Sequence, residues 1–138
     1  MLLLSKIYHD VYAFRDKTLY VWSEIFSWKH VKIYLSLIAL LNLSVWVFSW
    51  LFYRQVNEDL IILHYNVDFG VDLVGDPRNI FMIAGLGLFV TIFNFSLLFI
   101  FAKRLDFKVM SHLILAITLL VNLFLSLALG PLYIINFS

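Results

Sequence analysis

The chain has 138 residues, of which 63% are hydrophobic and only 14% are charged, whereas soluble domains carry about 25% charged residues. One compact membrane unit is the natural interpretation, because the length leaves no room for a second domain beside several spans. Since the sequence has no cysteine, disulfides, zinc–thiolate sites and thiol catalysis are excluded.

Residues 1–30 are predicted to form an amphipathic helix on the cytoplasmic side of a membrane. Apolar residues recur at helical spacing from Leu4 to Trp28, and polar residues fill the other face. The charged residues exclude a span, while the aromatic residues suit the headgroup boundary, so we expect the helix to lie flat on the membrane surface. A docking helix for a soluble partner is the alternative. A cleavable signal peptide is not expected, because the first apolar run ends at Ser5.

Three later stretches are long and apolar enough to cross a bilayer, which requires about 20 mostly apolar residues. They comprise residues 31–53, 80–102 and 109–135, and residues 103–108 form the turn between the second and the third. Apart from Lys32 at the start of the first stretch, none of them contains Asp, Glu, Lys or Arg. The predicted fold class is therefore an all-α membrane protein with three transmembrane helices and a short hairpin in the connection 54–79.

The distribution of positive charge predicts the orientation of these spans. Eight of the ten Lys and Arg lie before or at the very start of the first span, or in the turn after the second: Lys6, Arg15, Lys17, Lys29, Lys32, Lys103, Arg104 and Lys108. Short loops rich in Lys and Arg stay in the cytoplasm. We therefore expect a multi-pass protein of the cytoplasmic membrane with its N-terminus inside, and with the connection 54–79 and the C-terminus outside.

Each predicted span carries one asparagine near mid-depth, namely Asn42, Asn94 and Asn122. An amide facing lipid lacks partners, so we expect these side chains to bond across helices, each contributing about 0.6 to 2 kcal/mol. The alternative is a polar conduit for an ion or small solute, which the lack of ionisable residues at depth disfavours. Asn136, in the terminal Asn-Phe-Ser, is only a formal match to a glycosylation sequon.

Residues 63–73 alternate between apolar odd positions and even positions that are polar or glycine, which is typical of β-strands. A three-residue loop preserves this alternation, and residues 68–70 fit a type I turn followed by a glycine at positive φ. The predicted pairs are Val67 with Val71, Tyr65 with Leu73, and Asn66 with Asp72. Because a lone hairpin is marginal in water, its apolar face should cover the outer ends of the spans or meet a partner.

The even positions of this hairpin form the candidate partner-binding site: His64, Asn66, Asp68, Gly70 and Asp72. The alternative is that this polar face has only a structural role in the connection between two spans. His64 and Asp72 are plausible metal ligands, but a catalytic zinc usually needs three protein ligands. We therefore expect no metal, no cofactor and no catalytic residue here.

The same stretch resembles a small bacterial membrane domain of unknown function that occurs in the family of the sporulation-delaying-toxin immunity protein. That domain places a P-x-H-x-N-x-x-G segment outside the membrane, between two spans. The residues LHYNVDFG supply His64, Asn66 and Gly70, although the proline is missing and the glycine falls one residue late. The resemblance implies a multi-span bacterial membrane protein and leaves the mechanism open.

Together these features predict a small membrane protein that acts by protein–protein interaction, through its hairpin or its helix surfaces. It would serve as a subunit, an immunity-type protector or a sensor accessory. The expected partners are the lipid bilayer and either another membrane protein or further copies of the chain, with no nucleic acid. The alternative is an oligomeric conductor of a solute or ion. An enzyme comes third, because none of the common catalytic motifs appears.

Overall fold

The computed structural model describes residues 2–57, 59–66, 68 and 70–137, with the side chains of all of these except residues 2–8, 14 and 65. Its elements, in chain order, are α1 (Leu2–Ser27), α2 (Lys29–Gln55), β1 (Ile61–Asn66), β2 (Gly70–Gly75), a 3₁₀ turn (Pro77–Ile80), α3 (Phe81–Phe101) and α4 (Phe107–Phe137). Within the described residues, α2, α3 with its 3₁₀ turn, and α4 are each long and apolar enough to cross a membrane. The three predicted apolar helices and the small antiparallel sheet are thus confirmed.

The three long apolar helices form a bundle in which α2 and α4 run parallel. His30 near the start of α2 contacts Ser111 near the start of α4, and Gln55 at the end of α2 contacts Tyr133 near the end of α4. A five-residue turn, 102–106, joins α3 to α4, so α3 returns in the opposite direction and contacts both neighbours. We call the two ends of the bundle the α1 end and the hairpin end, after the element that each one carries.

Two apolar clusters fill the bundle, one at each end. At the α1 end the buried residues are Val21, Ile25, Val31, Ile38, Leu98, Ala102, Phe107 and Leu115. At the hairpin end they are Val45, Phe52, Ile61, Ile80, Ala84 and Leu129. Polar side chains of α2, α3 and α4 lie between the clusters, and we call this set the polar layer: Asn42, Thr91, Asn94, Thr118 and Asn122.

The end of α1 packs on the bundle. Trp28, in an extended conformation, separates α1 from α2, and this break turns the chain back so that Val21 and Ile25 are buried in the cluster at the α1 end. Trp22 contacts Phe95 and Phe99 of α3, with ring centroids 5.6 and 5.1 Å apart. Part of the apolar face that the sequence assigns to a membrane surface is therefore used inside the molecule. Farther from the break, Val11, Leu19 and Tyr20 are exposed.

The strand register differs from the predicted one. Asn66 lies opposite Gly70, Tyr65 opposite Val71, and His64 opposite Leu73, so the predicted pairs Tyr65 with Leu73 and Asn66 with Asp72 are wrong. The irregular register on either side of His64 is typical of a β-bulge.

An asparagine explains why the loop begins one residue earlier than predicted. The Asn66 side-chain oxygen accepts a hydrogen bond from the backbone N–H of Asp68 at 2.9 Å, which forms a local turn that competes with the extended ladder. Gly70 has φ +78°, so the predicted positive φ is correct, but this glycine is the first residue of β2 and not the last of the loop. The predicted pairing of Val67 and the turn geometry of Phe69 fall on residues outside the described part of the chain.

Candidate functional site

Asn136, near the end of α4, ties the hairpin to the bundle. Its side-chain oxygen accepts from the backbone N–H of Ile62 at 2.8 Å, and its side-chain nitrogen donates to the Ile62 carbonyl at 2.9 Å. The same nitrogen donates to the Leu132 carbonyl at 2.8 Å, within its own helix. The amide thus bonds to β1 as a neighbouring strand would, and it satisfies both backbone groups of Ile62.

Sequence reasoning treated Asn136 only as a sequon match and missed this role. The available signal was its place at the end of a long apolar helix, where a half-buried amide must find partners. Which partners it would find could not be inferred, because Ile62 is 74 residues away in the chain.

Close packing also fixes the base of the hairpin. Ile61 is buried in the cluster at the hairpin end, where Leu63 packs against it. A Cβ atom added to Gly75 would lie 2.7 Å from Leu63 Cδ1 and 2.9 Å from Asn79 Nδ2, so only glycine fits without displacing a neighbour. Immediately afterwards, Asp76 accepts from the backbone N–H of Arg78 at 2.7 Å and caps the 3₁₀ turn.

The second strand leaves its apolar residues uncovered. Val71 and Leu73 are 46% and 53% exposed, and Val74 is exposed to a similar degree. The expectation that the apolar positions cover the ends of the spans is therefore wrong for Val71 and Leu73 of β2, because it is β1 that packs along α4. The alternative in the sequence analysis, a partner that covers these apolar residues, stays a prediction.

Two of the predicted site residues meet on the hairpin surface. His64 Nδ1 lies 2.6 Å from Asp72 Oδ1, and both side chains are exposed. Because a carboxylate can only accept, the imidazole donates through Nδ1, and in its neutral form Nε2 is then an acceptor. The bulge next to His64 brings this pair together, and the predicted register would have placed Asn66 opposite Asp72 instead.

The other three predicted residues have separate positions. Asn66 holds the loop through its bond to the Asp68 backbone, and Gly70 provides the positive φ at the start of β2. Asp68 is exposed in the loop. Within the described residues, no group of three or more His, Asp or Glu side chains could hold a metal ion.

The polar layer joins all three long helices. Asn42 Nδ2 donates to Asn122 Oδ1 at 3.0 Å, and Asn122 Nδ2 donates to Thr91 Oγ1 at 3.2 Å and to the Thr118 carbonyl at 2.9 Å. Asn122 is 0% exposed. The structure therefore brings Asn42 and Asn122 into direct contact across two helices, in line with the expectation that the asparagines of the spans bond across helices.

Asn94 does not bond to Asn42 or Asn122 but to Thr118, whose carbonyl accepts from Asn122. Its Nδ2 donates to Thr118 Oγ1 at 2.8 Å, and that hydroxyl donates in turn to the Ile114 carbonyl at 2.7 Å. The three asparagines thus do not meet at one point. Asn94 joins α3 to α4 through a threonine that the sequence pattern does not single out as its partner.

A glycine makes the polar layer sterically possible. A Cβ atom on Gly87 would lie 2.8 Å from Asn42 Nδ2 and 2.9 Å from Asn122 Oδ1. The backbone of α3 therefore approaches the Asn42–Asn122 bond closely, which is typical of small residues at interfaces between apolar helices.

No family model matches the chain, and neither a curated protein nor a solved structure matches it. The resemblance to the sporulation-delaying-toxin immunity family therefore stays a prediction that depends on His64, Asn66 and Gly70. The hairpin and the polar layer are therefore the two features of the structure that bear on function.

Proposed function

We propose that the chain is a multi-pass protein of the cytoplasmic membrane that binds a protein partner through its hairpin. In this proposal the N-terminus and the turn 102–106 face the cytoplasm, and the hairpin faces outward. Support comes from the three apolar helices and from the concentration of Lys and Arg at the α1 end of the bundle.

The observation that carries the proposal is a hairpin that is fixed at its base and apolar on its surface. Asn136 and Ile61 hold β1 in place, while Val71 and Leu73 stay exposed next to the His64–Asp72 pair. A preorganised surface loses little conformational entropy on binding. Apolar side chains beside a directional polar group provide both the apolar contact area and the orientation that an interface needs.

The role that fits this surface is binding and not catalysis. A subunit, an immunity-type protector and a sensor accessory would all need a fixed recognition surface outside the membrane, and the family resemblance favours the immunity type. The polar layer supports a structural role for its amides, because Asn42, Asn94 and Asn122 bond to groups of neighbouring helices. That arrangement gives the solute-conducting alternative no support.

Photo-crosslinking in intact cells tests the binding surface. A photo-reactive amino acid at Leu73 should form a defined crosslink to one partner, and this crosslink should disappear with His64→Ala. Leu105 is the matched control, because it is fully exposed in the turn at the opposite end of the bundle. Equal crosslinking from Leu73 and Leu105, or a Leu73 crosslink that His64→Ala leaves unchanged, would contradict the proposal.

Thiol labelling tests the orientation separately, and the lack of native cysteine makes each introduced thiol unique. Asp68→Cys should react with a membrane-impermeant maleimide in intact cells. Lys103→Cys should react only after the cells are permeabilised. The reverse pattern would overturn the proposed orientation without affecting the crosslinking result.

A further inference from the structure

Two histidines stack on each other at the α1 end of the bundle. His30 of α2 and His112 of α4 have ring centroids 4.0 Å apart and planes that differ by 15°. Aromatic neighbours enclose them, with Tyr34 5.8 Å from the His112 ring and Trp28 5.7 Å from the His30 ring. The two rings join helices that are parallel and that are also held together by apolar packing, by the polar layer and by the bond between Tyr133 and Gln55 at the far end.

The hydrogen bonds at this stack determine where the His30 proton lies. Ser111 is 0% exposed, and its hydroxyl donates to the Lys108 carbonyl at 3.0 Å. A hydroxyl has one hydrogen to donate, so in the 2.8 Å contact between His30 Nε2 and Ser111 Oγ the histidine is the donor. His30 thus carries a proton on Nε2 when it is neutral, and a second proton can only go to Nδ1.

The surroundings oppose a double positive charge on the stack. Two imidazolium ions at this separation repel each other strongly in a half-buried site. The elements around the stack contribute these charged groups: Glu24 on α1, Lys29 and Lys32 on α2, Lys103, Arg104 and Asp106 in the turn, and Lys108 on α4. Lys108 adds further repulsion at His30, and Asp106 is already paired with Arg104 at 3.1 Å.

We propose that the His30–His112 stack is a pH-sensitive contact, which holds α2 and α4 together while it carries at most one proton and separates when both rings are protonated. Imidazoles titrate within the physiological range, so acidification on the side that the α1 end faces would open this end. The Asn42–Asn122 bond lies twelve residues further along α2, about 18 Å away. It contains no titratable group and acts as the fixed point of the movement.

Distance measurement between spin labels tests the proposal on the full chain in lipid nanodiscs. Ile33 and Leu113 flank the stack on α2 and α4 and are exposed, so Ile33→Cys with Leu113→Cys gives two unique labels in a cysteine-free chain. The double electron–electron resonance distance should become longer and broader between about pH 8 and about pH 5. The change should reverse when the pH is raised again.

A second label pair and two variants test whether protonation of the His30–His112 stack causes the change in distance. Val47→Cys with Leu127→Cys reports on the same two helices beyond the polar layer, and its distance should not change with pH. His112→Phe keeps a stacked ring that cannot take up a proton, and His30→Gln keeps an N–H donor for Ser111. Either variant should abolish the pH response of the Ile33–Leu113 pair, so one folded variant suffices. An unchanged distance in the parent chain, or the full response in either variant, would overturn the proposal.

Discussion

The two ends of the bundle are held by different chemistry. At the hairpin end, the Asn136 amide bonds to both backbone groups of Ile62, and none of these groups titrates. At the α1 end, two stacked imidazoles and a serine join α2 to α4. The base of the hairpin is therefore held by bonds that do not depend on pH, whereas the contact that we propose to be pH-sensitive lies at the opposite end.

The largest effect is expected from removing the amide that fixes the hairpin. Asn136→Leu leaves the N–H and the carbonyl of Ile62 without partners, which costs about 1–3 kcal/mol for each buried group. Hydrogen exchange at the Ile62 amide should accelerate strongly, while exchange in the polar layer stays unchanged. Asn136→Asp is the matched variant, because it keeps the acceptor for the Ile62 N–H and replaces the donor to the Ile62 and Leu132 carbonyls by a charged oxygen that can only accept. Unchanged exchange at Ile62 in Asn136→Leu would show that packing alone holds the hairpin.

A glycine substitution should destabilise the polar layer that lies between the two ends. Gly87→Ala places a Cβ atom against the Asn42–Asn122 bond, and overpacking of this kind typically costs about 1–3 kcal/mol. Gly85→Ala is the control, since its Cβ would meet nothing within 4 Å. Thermal unfolding in detergent should show a lower midpoint for Gly87→Ala alone. Equal midpoints would mean that α3 can shift away at no cost.

The asparagines of α3 and α4 in the polar layer should differ in their contribution to stability. Asn122 makes three interhelical or backbone bonds and Asn94 makes one to Thr118, and bonds of this kind contribute about 0.6 to 2 kcal/mol. Asn122→Leu should therefore destabilise the bundle more than Asn94→Leu, as measured by denaturation in mixed micelles. The opposite order would place the main helix–helix contact between α3 and α4 at Asn94.

The smallest effect on stability is expected on the hairpin surface. His64 and Asp72 form an exposed hydrogen-bonded pair, and even fully charged pairs at a surface contribute only about 0.2–1 kcal/mol. His64→Ala should leave the unfolding midpoint almost unchanged while it abolishes the crosslink from Leu73. Asp72→Asn, which keeps an acceptor for His64 Nδ1, should retain most of that crosslink. A large loss of stability in His64→Ala would make the pair structural.

The long apolar helices were predictable because composition and span length decide them locally. The existence of the hairpin followed from strict alternation in the same way. Its register did not, because the Asn66 side chain captures the Asp68 backbone and begins the loop one residue early. The alternation pattern contains no information about that competing bond.

Contacts between distant segments explain the other differences. All three asparagines were expected to bond across helices because each lies near mid-depth. That Asn42 meets Asn122 while Asn94 meets Thr118 depends on how the helices are rotated. The Asn136 bond to Ile62 and the stack of His30 on His112 join residues more than 70 positions apart. Neither contact has a local sequence signature, so both required the folded structure.

The bonds of Asn136 have a practical consequence for producing the protein. Asn136, Phe137 and Ser138 match an N-glycosylation sequon, and the sugar would attach to the same nitrogen that donates to the Ile62 and Leu132 carbonyls. A eukaryotic expression host that modified this site would release the hairpin from α4. Ser138→Ala removes the sequon without touching the amide, and it is the substitution to make before expression in yeast or insect cells.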